Sequence, residues 1–358
     1  MASQPGPSLS HHFATSADGA QLSYYSTGNG GPNVLILHGA ICYALSHQEL
    51  ARALSANFTV HTASSRSRGL SAPYPAAVTD LSPYPSGTGH DETLTLRVGK
   101  DTYKSPYNPA FTAAVISTEL ADLEALVQAT GAEFLIGVSS GALVALDALR
   151  PANLDSHPGL ATLKGAVIFE PPLFFSDRDS PADLGLLARF EEDKRSGDEV
   201  GAMVTAMQLV ELGPAWIPRW LMKWLSGMMM RGQEKSVEKE KQAGGEDRGK
   251  CTMRELGAAL RYDFAVCSGV IGDSARFAHA GERREGGGGG RVEVLLLHGG
   301  RSPRYLQEAM GVLAGLLPGA KHVTIEGVGH EVLCGADMRG QPDKAVPAIR
   351  DFFQGVMA

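Results

Sequence analysis

Residues 134–138 read FLIGV, a run with no polar position on either of its two alternating faces. A strand of that kind is buried on both sides, which places it inside a parallel sheet covered by helices above and below. Further runs at 22–26, 34–37, 58–63, 165–169, 292–297 and 322–325 have strand character. Between them, 113–130 carries Val115, Leu120, Leu123, Leu126 and Val127 near one face at helical spacing. Residues 140–149, 304–317 and 345–356 read as helices too. The alternation predicts an α/β chain, a mainly parallel sheet with helices on both faces.

Two stretches interrupt this rhythm. Residues 73–110 hold Pro73, Pro75, Pro83, Pro85, Pro106 and Pro109 among Ser, Thr and Tyr, and read as a long loop excursion near the carboxyl edge of the sheet. Residues 173–290 have helical patterning and no clear strand, with Trp216, Trp220 and Trp224 at i, i+4 and i+8. That spacing predicts packing within the helical segment rather than ligand contacts. The expected organisation is a core of residues 1–172 and 291–358 and an inserted helical cap, 173–290, with a mobile charged and Gly-rich part (234–250 and 286–290). No internal repeat is visible.

Composition narrows the class. The 358 residues are 43% hydrophobic and 20% charged, the make-up of a soluble globular protein. A net charge of −7 argues against nucleic acid and against anionic membranes as partners. No uninterrupted apolar stretch of about 18 residues predicts stable membrane insertion. Amphipathic docking by 215–230 is weakened by Arg219 and Lys223. The start, MASQPGPSLSHH, lacks the basic and apolar regions of a secretory signal. Cys42, Cys251, Cys267 and Cys334 are far apart with no CxxC spacing, so neither a disulfide framework nor a zinc site is expected. A reducing, cytoplasmic location fits that usage.

Three local motifs carry chemistry. Gly137-Val138-Ser139-Ser140-Gly141 joins a strand to a helix, the context a strained nucleophile turn requires. Ser139 fits the Gly-x-Ser-x-Gly frame, and Ser140 fails it because Val138 stands where glycine would be needed. After the strand at 34–37 comes His38-Gly39-Ala40, where the Ala40 N–H could join that of Ser140 in holding an oxyanion. His330, in 326-EGVGH-330 after the last strand, stands where a Ser…acid…His order places the base.

The chain resembles the α/β-hydrolase fold superfamily over nearly its full length. The matching segments are 18-DGAQLSYYSTG-28, 35-LILHGA-40, 67-SRGLSAP-73, 136-IGVSSGALVAL-146, 295-LLLHGG-300 and 326-EGVGH-330. Arg68-Gly69-x-Ser71 matches the usual arginine-glycine turn, while Val138 departs from the frequent His or aromatic residue. The resemblance implies a serine hydrolase with Ser139 as nucleophile, His330 as base, and Ala40 and Ser140 as oxyanion donors. It implies no cofactor and no metal.

The triad acid departs more sharply. Family members usually carry Asp a few residues after the strand matching 292–297, but here 298-HGGRSPRYL-306 puts Ser302-Pro303 there. Glu170, in 166-AVIFEPP-172, is the best substitute, in an arrangement similar to fungal lactonase-type members that use Glu. Asp263, Asp337 and Glu326 are lesser candidates. The expected activity is cleavage of a small hydrophobic carboxylic ester or lactone through an acyl-enzyme. C–C hydrolysis, lyase chemistry, a biosynthetic step and non-catalytic ligand binding remain open.

Overall fold

The computed structural model describes residues 7–28, 30–81, 95–98, 101–104, 107–173, 181–209, 217–283 and 290–358. Trp216, Pro83, Pro85, Pro106 and the glycines at 286–289 therefore lie outside the described residues. The main sheet is formed by β1 (Ser10–Thr15), β2 (Gln21–Thr27), β3 (Asn33–Leu37), β4 (Thr59–Ala63), β7 (Phe134–Val138), β8 (Gly165–Phe169), β9 (Glu293–Gly299) and β10 (Lys321–Ile325). A separate antiparallel pair is made by β5 (Thr95–Val98) and β6 (Asp101–Lys104).

The eight strands lie in the order β1-β2-β4-β3-β7-β8-β9-β10. Only the β1–β2 and β2–β4 pairings are antiparallel, and the other five neighbours run parallel. The run at 134–138 sits in the middle, with every residue buried, as its lack of a polar face requires. β1 is a strand that hydrophobic patterning did not reveal. Its sequence SHHFAT is mostly exposed at the sheet edge, so its pairing rests on backbone hydrogen bonds and on contacts such as His12 stacked on Tyr24.

By compactness the chain divides into two units. One comprises residues 1–73, 118–172 and 274–358, and the other 74–117 and 173–273. The excursion at 74–117 thus groups with the helical segment, while 274–290 goes with the sheet. The side chains give the reason. Tyr74 stacks on Tyr262 at 3.7 Å, and the Tyr107 hydroxyl donates to Glu191 at 2.7 Å. On the sheet side, Arg276 pairs with Asp147 at 2.9 Å and the Gly281 N–H donates to the Leu149 carbonyl.

In the sheet unit, alternate residues Val34, Ile36, Phe134, Ile136, Val167, Phe169, Leu295 and Leu297 share one core with Leu50, Leu54, Phe352 and Phe353. That face is closed by the helices Gln48–Leu54 and Val346–Met357. The helix Ser140–Ala148 is buried along its whole length, and it contacts β3, β7, β8 and the following helix Pro151–Ser156. Arg66, buried, spans two carboxylates: its guanidinium donates to Asp18 and Asp122 at 2.7–2.8 Å, and the Ser16 hydroxyl donates to Asp122 at 2.5 Å. This ties the turn after β1 to the helix ending at Thr130.

The helical unit contains Pro181–Arg195, Glu199–Leu209, Arg219–Ala243 and Met253–Ser268. The last of these starts in a capping box, with the Glu255 N–H donating to Thr252 and the Thr252 N–H to Glu255. Trp220 and Trp224, expected to pack inside, are instead 71% and 58% exposed. The buried face of Arg219–Ala243 is Met222, Ser226, Gly227, Met230 and Val237. A segment apolar around most of its circumference offers periodicity to either face, and here the smaller face packs inward. Among the described residues no helix is long and apolar enough to cross a membrane.

Candidate active site

Ser139 closes β7 and is the N-cap of the helix Ser140–Ala148. Its backbone is at φ 54°, ψ −118°, a conformation that costs a non-glycine residue roughly 1–3 kcal/mol. Surrounding contacts hold it there. The Ser139 N–H donates to the Phe169 carbonyl at 2.8 Å, and the helix begins when Ala142 N–H donates back to the Ser139 carbonyl. The last glycine of the motif is required by close approach, since a Cβ on Gly141 would lie 2.5 Å from the His38 carbonyl oxygen. The turn and the chain after β3 are thus pressed together.

That neighbouring chain carries Ala40. A Cβ on Gly39 would lie 2.7 Å from Ser139 Cβ, so the turn 38–40 abuts the serine directly. His38 holds the turn: its Nδ1–H donates to the Gly39 carbonyl at 2.8 Å, and its Nε2 accepts the Ser65 N–H at 3.0 Å. Burial, then the Arg68 charge, pushes the His38 pKa well below its ordinary value, so it stays neutral in this tautomer. Ser71, from the arginine-glycine turn, bridges the same region by donating to the Ser64 carbonyl and accepting the Ser23 N–H. Ser140 is the first residue of its helix, at the positive end of the helix dipole. Ile41, next to Ala40, is also in the left-handed region at φ 59°.

Glu170 follows β8, whose Phe169 is in register with Val138 of β7 and Leu297 of β9. Its carboxyl group is buried, with no exposed surface, and its backbone is left-handed at φ 47°. Oε1 accepts the Gly299 N–H at 2.6 Å and the Ser302 hydroxyl at 2.5 Å. Oε2 accepts Nδ1–H of His330 at 2.5 Å. His330 begins a 3-10 turn (His330–Leu333) after β10, and its ring lies parallel to Phe169 at 5.9 Å.

With Nδ1 donating to a carboxylate, the His330 lone pair is on Nε2. A buried carboxylate in that relation stabilises the imidazolium when Nε2 takes a proton. Among the described residues the Ser139 hydroxyl makes no hydrogen bond with His330, the looser geometry common before substrate binds.

The lesser acids lie elsewhere. Asp263 is on the helix Met253–Ser268 of the other unit, Asp337 is in a 3-10 turn at Ala336–Met338, and the Glu326 carboxylate lies beside Gly300. The carboxylate that bonds to His330 is Glu170's alone among the described residues. Sequence reasoning missed the part played by Ser302. The residue occupying the expected acid position donates to the carboxylate that reaches His330, and its only sequence signal is a short hydroxyl residue at that position.

No family model matches the sequence, and no curated protein does. Solved structures of the same architecture are numerous. One is an α/β hydrolase from Sphaerobacter thermophilus, with TM-score 0.61 and 23% identity, covering 96% of this chain and all of that one. Another is a thermophilic esterase from Thermogutta terrifontis, with TM-score 0.55 and 19% identity, covering 98% of this chain and all of that one. An esterase from a Rhodococcus species has TM-score 0.54 and 18% identity, over 97% and 99%. The chain has the α/β-hydrolase fold.

Proposed function

We propose that the chain is a serine hydrolase of carboxylic esters or lactones. The observation that carries the proposal is the buried Glu170 carboxylate on His330 Nδ1, just after the strand that pairs with the one ending at the strained Ser139. In the proposed reaction His330 Nε2 takes the Ser139 hydroxyl proton while Oγ attacks the acyl carbonyl. The tetrahedral oxyanion is held by the N–H groups of Ala40 and Ser140. His330 then gives its proton to the leaving alkoxide, and water, activated by the same base, releases the acid and restores Ser139. Esterases among the similar structures support the reaction class.

The test is labelling by a fluorophosphonate together with turnover of a panel of esters and lactones. Ser139→Ala is expected to abolish both. Glu170→Gln is expected to lower kcat by roughly 10⁴-fold with folding intact. A Glu170→Gln rate near wild type would move the acid role to another residue. No labelling of Ser139 and no turnover would sink the hydrolase reading and favour a ligand-binding protein.

A further inference from the structure

The donor atoms of Cys42, His47 and Cys334 converge to within 4.8 Å of one another, and all three side chains are buried. Cys42 lies two residues beyond Ala40. His47 ends the 3-10 turn Ala44–His47, and Cys334 caps the 3-10 turn that begins at His330. All three belong to the sheet unit. Two free cysteines facing one histidine could be ordinary core packing. The histidine argues otherwise. Its Nδ1–H donates to the Leu333 carbonyl at 2.8 Å, which puts the lone pair on Nε2. That Nε2 is buried, with the residue showing no exposed surface, and it has no hydrogen-bond partner. A buried acceptor without a partner is costly, and a ring fixed through Nδ1 by a backbone carbonyl is the usual posture of a metal-binding histidine.

We propose that Cys42, His47 and Cys334 form a binding site for a thiophilic divalent cation of the zinc class. Zinc bonds to thiolate at about 2.3 Å and to imidazole at about 2.0–2.1 Å, which sets the donors roughly 3.5–4 Å apart in a tetrahedral site. The present donors, within 4.8 Å of one another, would have to close by up to about 1 Å to reach that spacing. Charge selects the divalent ion, because two thiolates, a neutral imidazole and a 2+ cation sum to zero, which suits a buried site. Binding breaks two S–H bonds, forms two S–metal bonds and one N–metal bond, and releases two protons to solvent. Three protein ligands leave one tetrahedral position for water. The ion would join the chain after β3 to the chain after β10, the two loops that carry Ala40 and His330. The inference rests on the donor geometry and stands independently of any role for Ser139.

The test uses the full-length, reduced, chelator-treated protein. Titration with Co²⁺ is expected to produce a thiolate-to-cobalt charge-transfer band that saturates at one equivalent and is displaced by Zn²⁺. Saturating Zn²⁺ is expected to raise Tm. Cys334→Ser should weaken Zn²⁺ binding roughly 100-fold or more, whereas Cys251→Ala/Cys267→Ala should leave it unchanged. X-ray absorption of the zinc-loaded wild-type protein should show two sulfur neighbours and at least one nitrogen, a reading that needs no variant to fold. Absence of the charge-transfer band, its persistence in Cys334→Ser at wild-type affinity, or a zinc shell without sulfur would overturn the site.

Discussion

At the residue scale, the arrangement around Glu170 divides the work of one carboxylate between its two oxygens. Oε1 is fixed by the Gly299 N–H and the Ser302 hydroxyl, and Oε2 is left for His330. Ser302→Ala removes one of two donors from a buried, charged acceptor, a bond of about 1.5–3 kcal/mol. On the proposed reaction, the expected result is a kcat roughly tenfold or more below wild type with little change in KM, since Ser302 would act through Glu170 and not on the substrate. Ser302→Thr, which keeps a hydroxyl, should recover much of the loss. An unchanged kcat in Ser302→Ala would show that Gly299 alone suffices to hold the acid. Ser139 and His330 could be singled out from local motifs. Glu170 could be approached only by elimination, because its partner is 160 residues away along the chain.

At the element scale, the C-terminal helix Val346–Met357 closes one face of the sheet through a small set of rings. Phe353 stacks on Phe134 at 4.3 Å and meets Phe58 edge-on at 5.7 Å. Phe353→Ala is expected to cost about 3–5 kcal/mol, read as a lower denaturation midpoint in urea at constant m-value. A loss under about 1 kcal/mol would mean that the cavity collapses and that the helix is not the closing element. The central strands were legible because five-residue apolar runs such as FLIGV and GAVIF have the length and β-branched or aromatic content of strands buried on both faces. β1 and the β5–β6 pair were not. In β1 the apolar alternation is faint and the edge is solvated, so backbone pairing decides what side-chain pattern does not announce. Trp220 and Trp224 show the converse, a helical period correctly read with the wrong face turned inward.

At the scale of the whole molecule, acid stability carries a histidine signature. His61, on β4, donates from Nε2 to Asn33 Oδ1 at 3.0 Å and accepts the Ser26 hydroxyl on Nδ1 at 2.7 Å. Burial, then the neighbouring His12, lowers its pKa from 6.5 to about 4. The unfolded chain therefore takes up this proton near pH 6.5 and the folded chain only near pH 4. Stability falls as pH drops through that window and the loss levels off below it, by on the order of 3 kcal/mol in all. His61→Gln, which does not titrate there, should show a shallower decline of Tm between pH 6.5 and 4, and parallel curves for the two proteins would contradict the assignment. The sequence by itself determined the parallel sheet, the strand-turn-helix at Ser139 and the candidates for base and oxyanion donors, because each depends on neighbours within a few residues. The tertiary structure alone decided that Glu170 and Ser302 meet, that Tyr74 and Tyr107 pack with the helices, and that Cys42, His47 and Cys334 converge. Those contacts join segments tens to hundreds of residues apart, and their geometry is fixed by strand order and register, which no local pattern encodes.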